Sequence, residues 1–334
     1  MPTKQTLCRA IVIDAATRRL SPDEIAIPNL GDGEILIKVA AAGVNRADID
    51  QKNGNYAPPV GASPILGLEV SGTVAALGAE VAQYKLGDRV MALLTGGGYA
   101  EYAVARGELS LPVPSSLNFE EAAAVPEAYF TIWSNVFMDA KHKPGEVLLV
   151  HGGNSGVGSA TIQIAKAMGA VVLTTAGSDE KVEFCRKIGA DLAINYREQD
   201  FEKEAAKFLK GRGVDVIFDW IGYQYLKKHL SLLGRKGRLV FISSRTKEDG
   251  STIDLGMIMR KQLVITGSHL RPRPLEEKYA IAKEIRRYLL PKLETGELRP
   301  IISHRFPLEA AEEAHAVVES GQHKGKVILI VEDR

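Results

Sequence analysis

The chain has 334 residues, enough for roughly two domains and a large buried core. Its 42 lysines and arginines nearly balance 41 aspartates and glutamates, for a formal net charge of +1, so no broad basic field points to nucleic acid or an anionic membrane. Cys8 and Cys185 are the two cysteines, too few for a disulfide framework or a thiolate zinc cage, and both are expected to be small packed apolar residues.

The opening "MPTKQTLCRAIVIDAATRRL" lacks a long apolar core followed by a small-residue cleavage site, so no signal peptide is expected. No uninterrupted apolar run is long enough to span a bilayer, and cytoplasmic residence is the expectation. Short apolar runs follow, "EILIKVAAAGVN", "LEVSGTVAALG", "GDRVMALL" and "YAEYAVA", each closed by Gly, Asp or Pro. That punctuation predicts a β-rich domain. The period then changes, predicting a short helix over Phe119 to Ala124 and a longer one from Glu127 to Met138, beyond Pro126.

From Glu146 strands and helices alternate. Strands "EVLLVHG", "AVVLTTAG", "LAINY", "VDVIFDWIG", "GRLVFIS" and "QLVITGS" are separated by helices from Val157, over Glu180 to Ile188, in "FEKEAAKFLK" and in "YLKKHLSLL". This order predicts parallel β-α-β units with helices on both sheet faces, a doubly wound Rossmann-type sheet in an α/β protein. A helix over Leu275 to Leu290, a further helix and a closing strand in "KVILIVEDR" end the chain.

The stretch "VLLVHGGNSGVGSATIQIAKAMGA" places Gly152, Gly153, Gly156 and Gly158 where a strand turns into a helix. Val157, Ala160 or Thr161, Ile164 and Met168 recur at helical spacing and define its expected buried face. A helix N-terminus presents unpaired amides and the positive end of a dipole, an anion site that small residues let a pyrophosphate approach. Ser155 stands where the dinucleotide fingerprint has its middle glycine, so a tight turn without ligand is the competing reading. Flanking strands and the amphipathic helix favour a dinucleotide at Ser155, Gly156, Val157 and Gly158.

The tip of the second strand, "TTAGSDEK", chooses the cofactor. NAD enzymes usually carry a carboxylate there for the ribose 2′-OH. Here Ala176, Gly177 and Ser178 occupy it, with Lys181 a helical turn later and Asp179 at the start of the next helix. A hydroxyl and an ammonium suit a 2′-phosphate, so NADPH is expected; the bland alternative for Lys181 is a solvated helix lysine.

The ordered series "GDGEILIKVAAAGVNRADIDQKNGNYAPP", "ILGLEVSGTVAALG", "LGDRVMALLTGGGYAEY", "AAAVPEAYFTIW" and "GGNSGVG" resembles the medium-chain dehydrogenase/reductase superfamily nearly end to end. Within it the chain is similar to the zinc-free quinone oxidoreductases, and "NRADI", "GASPILGLE", "PGEVLLVHGGNSGVG" and "AGSDEK" look closest to the p53-inducible quinone oxidoreductase group. The resemblance implies a GroES-like catalytic domain from residues 1–127 and 269–334, a Rossmann-type NADPH-binding domain over 128–268, and an active cleft between them. Catalytic-zinc ligand positions of the superfamily read Asn45 and Leu68 here, with Glu69 retained and the structural-zinc lobe absent, so no metal is expected. His151 and His269 are read as a strand-end and a cofactor-loop residue rather than ligands.

The resemblance implies further roles. Asn45 and Asp48 would line the cleft near the nicotinamide ribose; Tyr56 would cover the acceptor or simply pack its loop; Thr131 would face the nicotinamide or be an ordinary buried helix threonine. Ser178, Lys181 and Tyr196 would surround the adenosine phosphate. Ser243, Ser244, Ser268, His269 and Leu270 would meet ribose and carboxamide through their backbones. Lys326 matches a family position near the cofactor, or is a surface lysine at a strand start, and Arg271 and Arg273 border the cleft or are solvated. The implied function is an NADPH-dependent quinone reductase forming a homodimer through "QLVITGS". A reductase of activated alkenes such as enals and enones is the alternative. An RNA-binding or structural role lacks electrostatic support.

Overall fold

The computed structural model describes residues 6–244 and 252–331. Contacts divide the chain into two units, Met1–Phe130 with Arg271–Arg334, and Thr131–Leu270. The first unit opens with an antiparallel hairpin, β1 (Leu7–Ile13) and β2 (Leu20–Ala26). Strand β3 (Glu34–Val44) alternates buried and outward residues and then becomes buried throughout as it reaches Ala41. Helix α1 (Arg46–Lys52), β4 (Glu69–Leu77), β5 (Arg89–Leu93), β6 (Tyr102–Arg106), β7 (Ser110–Pro112), α2 (Phe119–Ala122) and α3 (Pro126–Ile132) follow.

The second unit begins with the last residues of α3 and passes directly into a π-helical segment, Trp133–Asp139. It continues with β8 (Val147–Val150), α4 (Gly156–Ala167), β9 (Val171–Ala176), α5 (Asp179–Lys187), β10 (Leu192–Asn195), α6 (Phe201–Leu209), β11 (Val214–Asp219), α7 (Tyr223–Leu232), β12 (Leu233–Phe241), α8 (Leu255–Lys261) and β13 (Val264–Gly267). The last part of the chain belongs again to the first unit: α9 (Leu275–Tyr288), α10 (Leu290–Glu294), β14 (Ile302–Pro307), α11 (Ala311–Ser320) and β15 (Lys326–Ile330).

Among the described residues the second unit's strands pair in parallel in the order β10-β9-β8-β11-β12-β13. This is the doubly wound order, with its direction reversing between β8 and β11. Strand β8 is buried throughout, as a central parallel strand must be. The first unit's main sheet runs β14-β15-β3-β4-β5-β7, with β6 also on β3. Strand β15 pairs antiparallel with the end of β3, so the chain's last strand borders the residues leading into α1. Its core gathers Ile35, Ile37, Val70, Val90, Tyr99 and Leu329, all essentially out of water.

Three local expectations change. The helix beyond Pro126 starts on that proline, which needs no amide partner at a first helical position. It converts to a π turn at Trp133 because Ser134 Oγ and Asn135 Nδ2 both donate to the Thr131 carbonyl, and the Ala140 amide bonds Asn135 five residues back. Helix α4 is buried almost all round, from Gly158 to Ile162 and at Ile164 and Ala165, while Val157 and Met168 are only partly covered. A helix sunk into the unit has no single apolar stripe for periodicity to reveal. Helix α8 was not expected. It starts on Asp254, whose Oδ1 accepts the Met257 amide at 2.8 Å, and none of its residues is buried.

Gly158 permits the tight packing of α4 on its loop, since a Cβ there would lie 2.2 Å from the Gly152 carbonyl oxygen and 2.8 Å from Gly153 Cα. Gly158→Ala is expected to lower stability by about 1–3 kcal/mol, seen as a reduced urea midpoint; an unchanged midpoint would show that the loop yields without cost.

Candidate active site

In the second unit the loop after β8 turns at Gly152, with φ +60, and enters α4 through Ser155. Ser155 has φ −71 and ψ 170, ordinary extended backbone, so this position needs no glycine. Its Oγ accepts the Gly158 amide at 3.0 Å, the usual work of an N-cap. The amides of Gly156 and Val157 open the helix beyond reach of intrahelical acceptors. They sit at the carboxyl end of β8, where strand order reverses, and so fit the pyrophosphate of a dinucleotide.

At the tip of β9, Ser178 is the N-cap of α5, its Oγ accepting the Lys181 amide at 3.4 Å. Asp179 lies in the first turn of that helix and accepts from Asn195 Nδ2 at 2.9 Å. Tyr196 follows β10 and is 41% exposed, so its ring stays open to a ligand. A Cβ at Gly177 would lie 3.0 Å from the Tyr196 hydroxyl and 3.5 Å from Arg197 Nε. The fold thus brings Gly177, Ser178 and Tyr196 together and adds Arg197, which the sequence reading missed. Its signal was only adjacency to Tyr196, because nothing in the sequence shows which way the side chain turns.

Other expected cofactor residues follow β12 and β13. Ser243 and Ser244 are exposed, and Ser244 Oγ would be 2.2 Å from a Cβ at Gly222, so the loops after β11 and β12 touch. His269 is exposed and Leu270 buried. Ser268 Oγ donates to Asn135 Oδ1 at 2.6 Å, while Asn135 Nδ2 donates to the Thr131 carbonyl. Buried Asn135, also missed, therefore ties Thr131 to Ser268 and shapes the π turn.

His151 is buried between Thr175 Oγ1, 2.9 Å from Nδ1, and His229 Nε2, 2.8 Å from its own Nε2. Burial lowers the basicity of both rings, that of His229 to about 3, so the pair is neutral. With Asp219 they form the one cluster among the described residues whose donor atoms lie close enough to suggest a metal. It does not fit zinc as arranged: ligands on a tetrahedral ion stand roughly 3.3 Å apart. The two Nε2 atoms are instead hydrogen-bonded, and Asp219 accepts the amides of Ile221 and Gly222.

In the first unit Asn45 stands at the start of α1. Its Nδ2 donates to Glu69 Oε1 at 2.9 Å, and its Oδ1 accepts from Lys326 Nζ at 2.7 Å. Lys326 Nζ also reaches Glu69 Oε1 and the Val44 carbonyl, completing its three donors. Lys326 is 5% and Glu69 0% exposed, so the surface-lysine alternative for Lys326 falls away. Gly43 makes room, since a Cβ there would lie 2.2 Å from Glu69 Oε1. Around Asn45 the ligand-type groups are carboxylates joined to an ammonium, and Leu68 is apolar, so this cluster does not fit a histidine- and thiolate-bound zinc either.

Asp48, expected to line the cleft, is enclosed instead. Its carboxyl accepts the Asn45 amide at 2.8 Å, the Gly67 amide at 3.0 Å and the Tyr99 hydroxyl at 3.2 Å. Burial pushes it up to about 6, against the pull of those amides. A carboxyl spent on backbone amides positions the loop rather than touching a ligand. Tyr99 in turn meets His315 Nε2 at 3.1 Å, with both residues buried.

Tyr56 is partly buried, and the Arg271 guanidinium lies 5.5 Å from its ring centroid. Arg271 is not solvated: it donates to the Thr95 carbonyl and to Gln51 Oε1, and Lys278 Nζ holds its own carbonyl at 2.6 Å. Arg273 pairs with Glu277 at 3.4 Å. Glu127, missed in the sequence because it reads as an ordinary first-turn acid, sends its amide to Glu69 Oε2 at 2.8 Å. Burial first, then the Glu69 charge, raises its carboxyl to about 8.

Lys326→Met would strand the Glu69 charge in the interior, an expected loss of about 3–5 kcal/mol. The urea midpoint should fall accordingly and recover in part when Glu69→Gln is added; an unchanged midpoint in the single variant would show that the pair carries no such role.

No helix among the described residues is long and apolar enough to cross a membrane. Residues 31–115 match the alcohol dehydrogenase GroES-like domain, and residues 156–285 match a family described as zinc-binding dehydrogenase. The chain is 36% identical to the quinone oxidoreductase of Sus scrofa over 312 residues, 92% of each chain. It is 35% identical to that of Homo sapiens over an alignment of 343 positions, gaps included, covering 99% of this chain and all of the other. Among solved structures, the quinone oxidoreductase of Thermus thermophilus, described also as a complex with NADPH, aligns with TM-score 0.80 at 30% identity over 96% of this chain and 99% of that one. The CurK enoyl reductase aligns with TM-score 0.85 at 25% identity over 97% and 99%. A GroES-like segment, a doubly wound sheet with a dinucleotide loop, and full-length likeness to these enzymes converge: the chain belongs to the quinone oxidoreductases, the zinc-free branch of the medium-chain dehydrogenases/reductases.

Proposed function

We propose that the protein is an NADPH-dependent quinone reductase that works without a metal. The carrying observation is the donor set around Asn45, which offers hydrogen bonds and a buried ion pair but no nitrogen or sulfur ligands for a Lewis acid. Reducing an ordinary ketone needs strong polarisation of its oxygen, commonly supplied by zinc. A quinone does not, because hydride addition produces an aromatic hydroquinone anion. When bound, the reduced nicotinamide supplies that hydride.

The chain's own residues bind and orient. The amides of Gly156 and Val157 take the pyrophosphate under the Ser155 cap, and Ser178, Lys181, Tyr196 and Arg197 take the 2′-phosphate. Thr131, Ser243, Ser244, Ser268, His269 and Leu270 serve the nicotinamide half. Asn45, Asp48 and Lys326 hold the loop at α1, and Tyr56 offers its hydroxyl to the acceptor. The likeness to an enoyl reductase supports a second reading, reduction of conjugated enals and enones, which needs the same hydride geometry. Strand β13 leaves one edge unpaired among the described residues, with Val264, Leu255 and Met259 exposed beside it, which supports a homodimer that sedimentation velocity can check. A cytoplasmic location completes the proposal.

Lys181→Ala is expected to weaken NADPH at least about tenfold more than NADH, in keeping with one charge-assisted contact, when both are titrated by nicotinamide fluorescence. Equal weakening would remove the 2′-phosphate assignment. Steady-state assays of native protein with a naphthoquinone and a 2-alkenal, before and after exhaustive chelation, test the whole reading. Turnover of the quinone that survives chelation is expected, and loss of turnover on metal removal would overturn it.

A further inference from the structure

We propose that Glu127 is the acid that protonates the reduced acceptor, an assignment that rests on the hydride-transfer reading above. Three carboxyl groups gather near the start of α3, and two are fully engaged. Asp48 accepts two amides and a tyrosine hydroxyl. Glu69 accepts from Lys326, Asn45 and the Glu127 amide. The Glu127 carboxyl makes no hydrogen bond or ion pair among the described residues and is only partly buried. It is thus the member of the cluster free to meet another molecule.

The groups facing it come from every neighbouring element: Asp48 from α1, Glu69 from β4, Lys326 from β15, Tyr56 from the loop after α1, Arg271 from the segment before α9, and Lys278 from α9. Lys326 bonds Glu69 directly and pulls on Glu127 only at longer range, a smaller effect than burial or the Glu69 charge. Arg271 and Lys278 direct donors to carbonyl and amide oxygens. Low-dielectric surroundings and the Glu69 charge therefore dominate, and the carboxyl, raised to about 8, carries its proton at neutral pH.

The step balances. Hydride addition brings two electrons and leaves one negative charge on an oxygen of the quinone. The O–H bond of Glu127 breaks as a new O–H bond forms on that oxygen, so quinone, hydride and proton together give the hydroquinone. With an enal or enone the same proton goes to the α-carbon of the enolate. The Glu127 carboxylate, repelled by Glu69, regains a proton from water. Tyr56, whose own hydroxyl burial makes a weaker acid, is the poorer donor.

Glu127→Gln keeps size and polarity and removes the proton. Its kcat should fall about 10²-fold, the low end of general acid catalysis, because water also protonates a hydroquinone anion. Native kcat should hold steady below about pH 8 and decline above it, whereas the variant's profile should be flat. Cofactor affinity and the urea midpoint should stay near native values, which separates lost chemistry from lost folding. A second measurement needs no turnover: the infrared carboxyl band present in native protein and missing from the variant should disappear with a midpoint near 8. A midpoint at the ordinary 4.5, or a variant with native kcat and pH profile, would overturn the assignment. A native chain that binds no reduced nicotinamide would instead overturn the hydride reading, and this inference with it.

Discussion

Lys326 and Glu69, an ammonium and a carboxylate that water barely reaches, connect segments separated by 257 positions of sequence. Either charge alone would be expelled from such a place at a cost of several kcal/mol. Together they are tolerable because all three lysine donors are used and both carboxylate oxygens accept hydrogen bonds. Asn45 bridges the two with its amide, the Val44 carbonyl takes a third lysine proton, and the Glu127 amide takes the second carboxylate oxygen. The ends of β3 and the starts of β4, α1, α3 and β15 therefore meet at one polar node inside an otherwise apolar unit.

Much of the surrounding chemistry follows from that node. A buried negative charge at Glu69 makes ionisation of Glu127 unfavourable, and Lys326, bonded to Glu69, offsets this at Glu127 only in part. Asp48, one helical turn into α1, is held by the Asn45 amide and completes the loop entry from the other side. Through Tyr99 it is linked to His315, which burial keeps neutral, its basicity lowered to about 4. Neutral imidazoles recur in the second unit at His151 and His229, where aromatic rings of Phe201 and Tyr225 pack around them. In both units histidine serves as an internal hydrogen-bonding ring.

The alternating strands and helices from Glu146 onward were readable because buried parallel strands leave continuous apolar runs and turns leave glycine and aspartate. The fingerprint loop was readable despite Ser155, whose hydroxyl replaces a glycine's openness with a helix cap. Helix α8 was not, since its apolar residues stay partly exposed and form no stripe. The π turn was equally hidden, because it depends on Ser134 and Asn135 choosing the Thr131 carbonyl over other partners. Glu127 and Arg197 look like ordinary surface charges until neighbours distant in the chain arrive beside them.

What the sequence determined by itself was periodicity and local chemistry: a doubly wound sheet, a strand-to-helix glycine loop, and a β9 tip with no carboxylate at its end. These are properties of neighbours along the chain, set by turn geometry and by which faces must leave water. Tertiary structure decided which charges are buried and with whom. Lys326 changes from a strand-start lysine to an interior cation, Asp48 from a cleft residue to a bracket, and Glu127 from a helix acid to a neutral one. The reason is that desolvation and pairing depend on distances across the fold, and these exist only once the sheet has closed around them.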